Sequence, residues 1–279
     1  MEIGVRTDNG EEKRLLLSEQ IGAHGGSIWG ASALPGFKEN CVPTLEGLLA
    51  MRERFEAHNL WMTGIGIGGD CLKNQLLGQD GRDRDVANLC ETIRVMGEAY
   101  KDKTAAESPV VILDQRVTYW AKSGWTGSRR VPGRGGVLFY DMDAARDAHL
   151  ADAPAGRVSI EQVWERMAYL YERIVPVAEE ADIRLATHPD DPPLPVYRGA
   201  AQALCSFAGF KRLFEMFPST HNGMLLCLGC MQEAGEDVVE VIRYFGERDK
   251  IFYVHFRNVK GKVPHYTEVF PDMGDLDMV

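Results

Sequence analysis

The chain has no apolar run near the roughly 20 residues that span a bilayer, and its start, MEIGVRTDNGEEKR, carries no apolar signal-peptide core. Both absences point to a cytoplasmic protein. Positive charge is scarce: 31 Lys and Arg face 41 Asp and Glu, for a formal net charge of -10. Such a surface repels polyanions, which argues against a general affinity for nucleic acid or an anionic membrane. Cysteine is sparse too. Cys41, Cys71, Cys90, Cys205, Cys227 and Cys230 are all there are, without the dense spacing of a secreted disulfide scaffold, so reduced thiols are expected. There is no repeat at a fixed period and no low-complexity linker to divide the chain.

What the chain does have is 279 residues at 45% hydrophobic content, enough for one large core. A single domain over residues 1–279 is expected. Short β-rich runs alternate with longer helical patterns, the signature of a parallel sheet with crossover helices. The strand candidates are Ile3 to Arg6, Gly26 to Trp29, Leu60 to Ile67, Val110 to Leu113, Ile183 to Thr187, Met224 to Leu228 and Ile251 to Phe256. A helix from Arg84 to Tyr100 shows a stripe of Val86, Leu89, Ile93, Met96 and Gly97. A second, from Ser159 to Ala181, opens on a capping box of Ser159 and Gln162, and Pro176 is expected to kink or shorten it. Two segments lack a regular pattern, Lys122 to Gly136 and Asp141 to Arg157. They read as insertions beside a barrel, and Arg129, Arg130 and Arg134 in the first are candidates to hold a carboxylate or are solvated charge.

Three residues suited to borderline or soft divalent metals each close an apolar run: His188 in IRLATHPDD, Cys227 in GMLLCLG and His255 in IFYVHFRN. Taken singly, each is as readily a hydrogen-bonded core histidine or a small buried hydrophobe. Together they fall at the C-terminal ends of parallel strands, the edge where barrel enzymes assemble their sites. Asp190 and Asp191 follow His188 in a proline-stiffened loop, as turn caps or as groups that orient a ligand. Asn222 precedes the second run and Arg257 lies two residues beyond His255, where strand alternation gives both the same face. Cys227 and Cys230 form a C-x-x-C, whose flanks do not match a thioredoxin-type redox unit.

The segments HPDDPP, HNGMLLCLG, VHFRNVK and GDLDM, in this order and spacing, resemble the mannonate dehydratase family. The likeness extends back through Gly81-Arg82-Asp83 and Gln20-Ile21-Gly22 to MEIGVRT. It implies an α/β fold of the (β/α)8 TIM-barrel type in the xylose isomerase-like group. It also implies a lyase of hexuronate and glucuronate catabolism, which dehydrates D-mannonate to 2-keto-3-deoxy-D-gluconate with Mn2+ or Fe2+. By the same resemblance His188, Cys227 and His255 match metal ligands. Arg257, with Asn222, Asp190 and Asp191, is a candidate for binding the sugar acid.

Two positions depart from the family pattern. Leu113-Asp114-Gln115 stands where relatives carry Tyr-Asn-Phe, and Pro271 where they carry His. The resemblance further places a fourth ligand and a catalytic acid/base beyond Val279, so the expectation is a barrel lacking its last helix and strand. An open sheet edge of that kind favours self-association into a homo-oligomer. The alternatives are a sugar or sugar-acid isomerase or epimerase on the same barrel, suggested by the changed segment, and a non-catalytic metabolite-binding descendant.

Overall fold

The computed structural model describes residues 2–29, 34–118, 127–131, 135–139, 141–143 and 152–278, with only the backbone for 38–39, 127–131 and 135–139. Arg134 lies outside the described residues, as do the side chains of Arg129 and Arg130, the other candidates to hold a carboxylate.

The first strands are β1 (Gly4–Arg6), β2 (Gly25–Trp29), β3 (Trp61–Ile67), β4 (Val110–Leu113), β5 (Gly127–Val131), β6 (Gly135–Phe139) and β7 (Asp141–Asp143). Then follow β8 (Leu185–Thr187), β9 (Val196–Tyr197), β10 (Ala200–Ala201), β11 (Asn222–Cys227), β12 (Ile251–His255), β13 (Asn258–Lys262) and β14 (His265–Val269). The main sheet has seven strands in the order β1-β2-β3-β4-β8-β11-β12. Neighbours β1–β2, β2–β3, β3–β4, β4–β8 and β11–β12 pair in parallel, as the alternation of strand and helix requires. β4 and β8 are buried along their whole length, which is why VVIL and LAT read as continuous apolar runs rather than alternating ones.

The chain clusters into two compact units. One comprises residues 1–114, 166–187 and 217–223, the other residues 115–165, 188–216 and 224–279. In the first, Tyr171 is fully buried, its hydroxyl 2.5 Å from Thr187 Oγ1 at the end of β8 and its ring stacked on Phe217. In the second, Met142, Tyr197, Val259 and Tyr266 form a small core beneath the antiparallel sheet β13-β14-β7.

All seven main strands fall where the sequence puts them, with shifts of one or two residues at their ends. The two-residue shifts are at β11, which begins at Asn222 and not at Met224, and at β8, which begins at Leu185 and not at Ile183. Asp182 takes a left-handed φ of 53°, and the Ile183 N–H donates to Ala178 O, so Ile183 belongs to the helix terminus before it. The helix Arg82–Ala99 buries Val86, Leu89, Ile93 and Met96 of the expected stripe and leaves Gly97 half-buried. The helix Ile160–Glu180 begins with the expected capping box: Ser159 N–H donates to Gln162 Oε1 at 2.9 Å and Gln162 N–H to Ser159 Oγ at 3.3 Å.

Two expectations are corrected and one element is added. Of the kink or shortening expected at Pro176, the shortening does not occur: the helix runs on to Glu180, because Val175, Val177 and Ala178 around the proline are buried and packing holds the turn. The antiparallel hairpin β13–β14 was not foreseen; Gly261, at φ +83°, supplies a backbone conformation that lets Lys262 pair with His265. Finally, Cys41 and Cys71 are joined in a disulfide, since the fold brings residues 30 apart in sequence to a Cα separation of 5.6 Å; Cys90, Cys205, Cys227 and Cys230 are free. Among the described residues no helix is long and apolar enough to cross a membrane.

Candidate metal centre

Parallel pairing of β11 with β12 sets Cys227, the last residue of one strand, in register with His255, the last residue of the other. His188 follows directly on β8. The three residues that the sequence scatters are therefore gathered at strand ends, and the rings of His188 and His255 lie with centroids 5.2 Å apart. His188 Nδ1 is 2.6 Å from Pro189 O. A carbonyl only accepts, so Nδ1 carries a proton and Nε2 is the ring nitrogen that faces away from this carbonyl.

A fourth residue joins them. After β11 the chain turns at once into the helix Leu228–Ala234, and the i, i+3 spacing places Cys230 on the same side as Cys227. Donor atoms of His188, Cys227 and Cys230 all lie within 4.8 Å of one another. Cys230 and Cys227 are both buried. The Cys227 thiol is held well below its ordinary value, first by the hydrogen bond from Cys230, then, against the cost of burial, by His188 and His255. Burial and the neighbouring Cys227 push Cys230 up. Burial also pulls His255 down, which keeps its imidazole neutral and able to ligate.

Beside the sulfurs is a buried charge cluster centred on Arg257. Its guanidinium reaches Glu233 at 2.6 Å, Glu268 at 3.0 Å and Asp191 at 3.4 Å, and Nη1 is 3.7 Å from Cys230 Sγ. The side chain passes over Gly229, where a Cβ would come within 2.9 Å of Arg257 Cγ. Tyr266 donates its hydroxyl hydrogen to Asp191 Oδ1 at 3.1 Å, and Arg116 donates to Asp191 O at 2.7 Å. Burial opposes charge on Arg257, but Asp191 and Glu233 outweigh it and hold the guanidinium well above its ordinary value. Burial, with Asp191 adding, pushes the Glu233 carboxyl well up.

Of the sequence candidates, the structure brings His188, Cys227, His255, Asp191 and Arg257 into one neighbourhood. Asp190 is engaged elsewhere: its Oδ2 accepts from Leu204 N–H at 2.7 Å while its own N–H donates to Leu204 O, a clip that fixes the loop. Asn222 opens β11 and Cys227 ends it, which separates them by roughly 16 Å at a strand's rise per residue. At that far end Asn222 Nδ2 donates to Phe217 O and secures the turn before the strand, so it does not join the cluster. Glu233, Glu268 and Tyr266 were not anticipated. Glu268 and Tyr266 come from the unforeseen hairpin, and Glu233 lies one turn past the C-x-x-C.

Residues 149–279 match the family model of D-mannonate dehydratase (UxuA). Over that stretch, just under half of its length, the chain is similar to the mannonate dehydratase family. Mannonate dehydratase from Thermotoga neapolitana is 37% identical over 117 residues, 41% of this chain and 32% of that protein. The aligned stretch thus spans about a third of that relative's length. Mannonate dehydratase 2 from Halalkalibacterium halodurans aligns more widely, 26% identical over 257 residues, 84% of this chain and 72% of that protein. Among solved structures, mannonate dehydratase from Streptococcus suis serotype 2 superposes with a TM-score of 0.79 at 24% identity, covering 100% of this chain and 79% of that one. A xylose isomerase domain protein from Planctomyces limnophilus gives 0.59 at 13% identity, covering 99% and 83%. The fold is therefore of the TIM-barrel type, as the sequence implies.

Proposed function

We propose that the chain is a metal-dependent hydro-lyase of the mannonate dehydratase type, acting on D-mannonate or a close sugar acid in the cytoplasm. The observation that carries this reading is the convergence of His188, Cys227 and His255 at three strand ends, within the stretch that matches the family. The donor set fits a divalent transition ion: neutral imidazoles and a thiolate suit Mn2+, Fe2+ or a softer ion, and the His188 proton on Nδ1 leaves Nε2 to ligate. A bound ion would supply Lewis-acid polarisation of a substrate oxygen.

The chain's own residues provide the rest of the site. Arg257 offers the substrate contact: its Nη2 is buried without a hydrogen-bond partner, while Nε and Nη1 are held by Glu268, Glu233 and Asp191. A guanidinium fixed on two sides with one donor group left over is suited to a carboxylate or hydroxyl of a sugar acid. Asp191 acts on Arg257, Asp190 on the loop, and Tyr266 fixes Asp191 from the hairpin.

Loss of water across C2 and C3 of the sugar acid calls for removal of the C2 proton and departure of the C3 hydroxyl. Its test is formation of 2-keto-3-deoxy-D-gluconate from D-mannonate by protein loaded with Mn2+ or Fe2+. His188→Ala, Cys227→Ala and His255→Ala should each lose metal and product together. Metal-loaded protein that makes no keto acid from D-mannonate would overturn the assignment.

One observation favours a second substrate for the same fold. Gln115 is buried and, among the described residues, neither polar atom of its amide has a hydrogen-bond partner. It stands in the Leu113-Asp114-Gln115 segment that departs from the family. A ligand hydroxyl at that amide would satisfy it. Deuterium uptake at carbon without water loss, in a panel of aldonates and ketoses, would favour an isomerase or epimerase.

A further inference from the structure

Cys230 is a buried thiol that the three-residue reading does not use. It is fully buried, and its sulfur shares a 4.8 Å neighbourhood with donor atoms of Cys227 and His188. Ligands around a tetrahedral ion with metal–sulfur bonds of about 2.3 Å stand roughly 3.3–3.8 Å apart, so closure onto one ion requires shifts of an ångström or less. Arg257 Nη1, 3.7 Å from Cys230 Sγ, is placed to donate a hydrogen bond to that sulfur. Cys230 also lies within 4.8 Å of carboxylate oxygens of Asp191 and Glu233, but those oxygens already serve Arg257.

We propose that Cys230 is a further protein donor to the centre, so that two thiolates join the imidazoles of His188 and His255 around the ion, with a fifth position left for the substrate oxygen. This rests on the metal-centre reading above. On binding, the Cys230 proton is released to solvent and the sulfur lone pair goes to the ion. A donor set with two thiolates is softer than one with a single thiolate, and it favours zinc, cobalt or iron over manganese. The C-x-x-C is then a metal clamp, and Cys230 determines which ion the chain prefers.

The test uses the unmutated full chain first. X-ray absorption of the zinc-loaded protein should count two sulfur scatterers; one sulfur overturns the proposal without recourse to a variant. With Co2+ as probe, Cys230→Ser should roughly halve the sulfur-to-metal charge-transfer absorption of the wild type. In competition against a chelator, the variant's Zn2+ affinity should fall at least about tenfold, with Mn2+ affinity little changed. If Cys227→Ser weakens Co2+ binding while Cys230→Ser keeps the full absorption, the extra donor is wrong and the metal centre stands. If the unmutated chain takes up neither ion, the metal-centre reading itself fails.

Discussion

At the scale of single residues the decisive arrangement is one guanidinium among three carboxylates. With Asp191, Glu233 and Glu268 all ionised around Arg257, the cluster would hold an excess of two negative charges, and Glu233 is the fully buried member. Burial pushes its carboxyl toward the neutral form, which removes one of those charges while the short contact to Arg257 is kept. The two forms predict different responses to substitution. Glu233→Ala leaves a cavity and a less well held buried cation, and should cost about 3 kcal/mol. Glu233→Gln keeps the shape of the neutral acid and should cost under about 1.5 kcal/mol. Denaturant midpoints at unchanged slope measure both. A Gln variant as unstable as the Ala variant would show that Glu233 is ionised. His188, Cys227 and His255 were legible in the sequence because strand ends are local patterns. The Arg257 cluster was not. Its partners arrive from a helix and a hairpin whose mutual placement is a tertiary fact, and the expected strand alternation does not reach Arg257, because β12 ends at His255 and the Arg257 N–H turns back to donate to His255 O.

At the scale of elements, the helix Ile160–Glu180 sets local rules against packing. The rule that worked was the capping box, because Ser159 and Gln162 satisfy backbone donors within one turn and need nothing from the rest of the fold. The rule that failed was the proline stop. Pro176 lacks an N–H and costs a helix interior about 3 kcal/mol, but the buried face of Leu170, Tyr171, Ile174, Val175 and Ala178 offsets that locally. Pro176 itself is exposed, so its replacement sacrifices no core contact. Pro176→Ala restores the hydrogen bond to residue 172 and should raise stability by about 1–2 kcal/mol, after the unfolded chain regains some freedom. The thermal midpoint should rise by several degrees. An unchanged or lower midpoint would mean that the helix has already adapted its geometry to the proline. The β13–β14 hairpin was illegible for a related reason. Pro264 and two glycine-separated lysines look like loop chemistry, and only the pairing with β7 makes a sheet of them.

At the scale of the whole molecule, the donors are unevenly distributed. His188, Cys227, Cys230, His255 and Arg257 all belong to the unit of residues 115–165, 188–216 and 224–279, and none to the other. An ion that binds only the folded state adds RT ln(1 + [L]/Kd) to stability, about 2.7 kcal/mol at a hundredfold excess over Kd. That increment acts on openings that separate the donors. Local openings elsewhere do not break the site and gain nothing. Metal removal should therefore speed amide hydrogen exchange within residues 188–216 and 224–279, most at the ends of β11 and β12 and in the helix Leu228–Ala234. The amides of β1 to β3 and of the helix Arg82–Ala99 should exchange as before. Exchange followed by mass spectrometry, with and without a chelator, reads this directly. Equal acceleration in both units would show instead that they open only together, so that the ion stabilises the chain as one cooperative body.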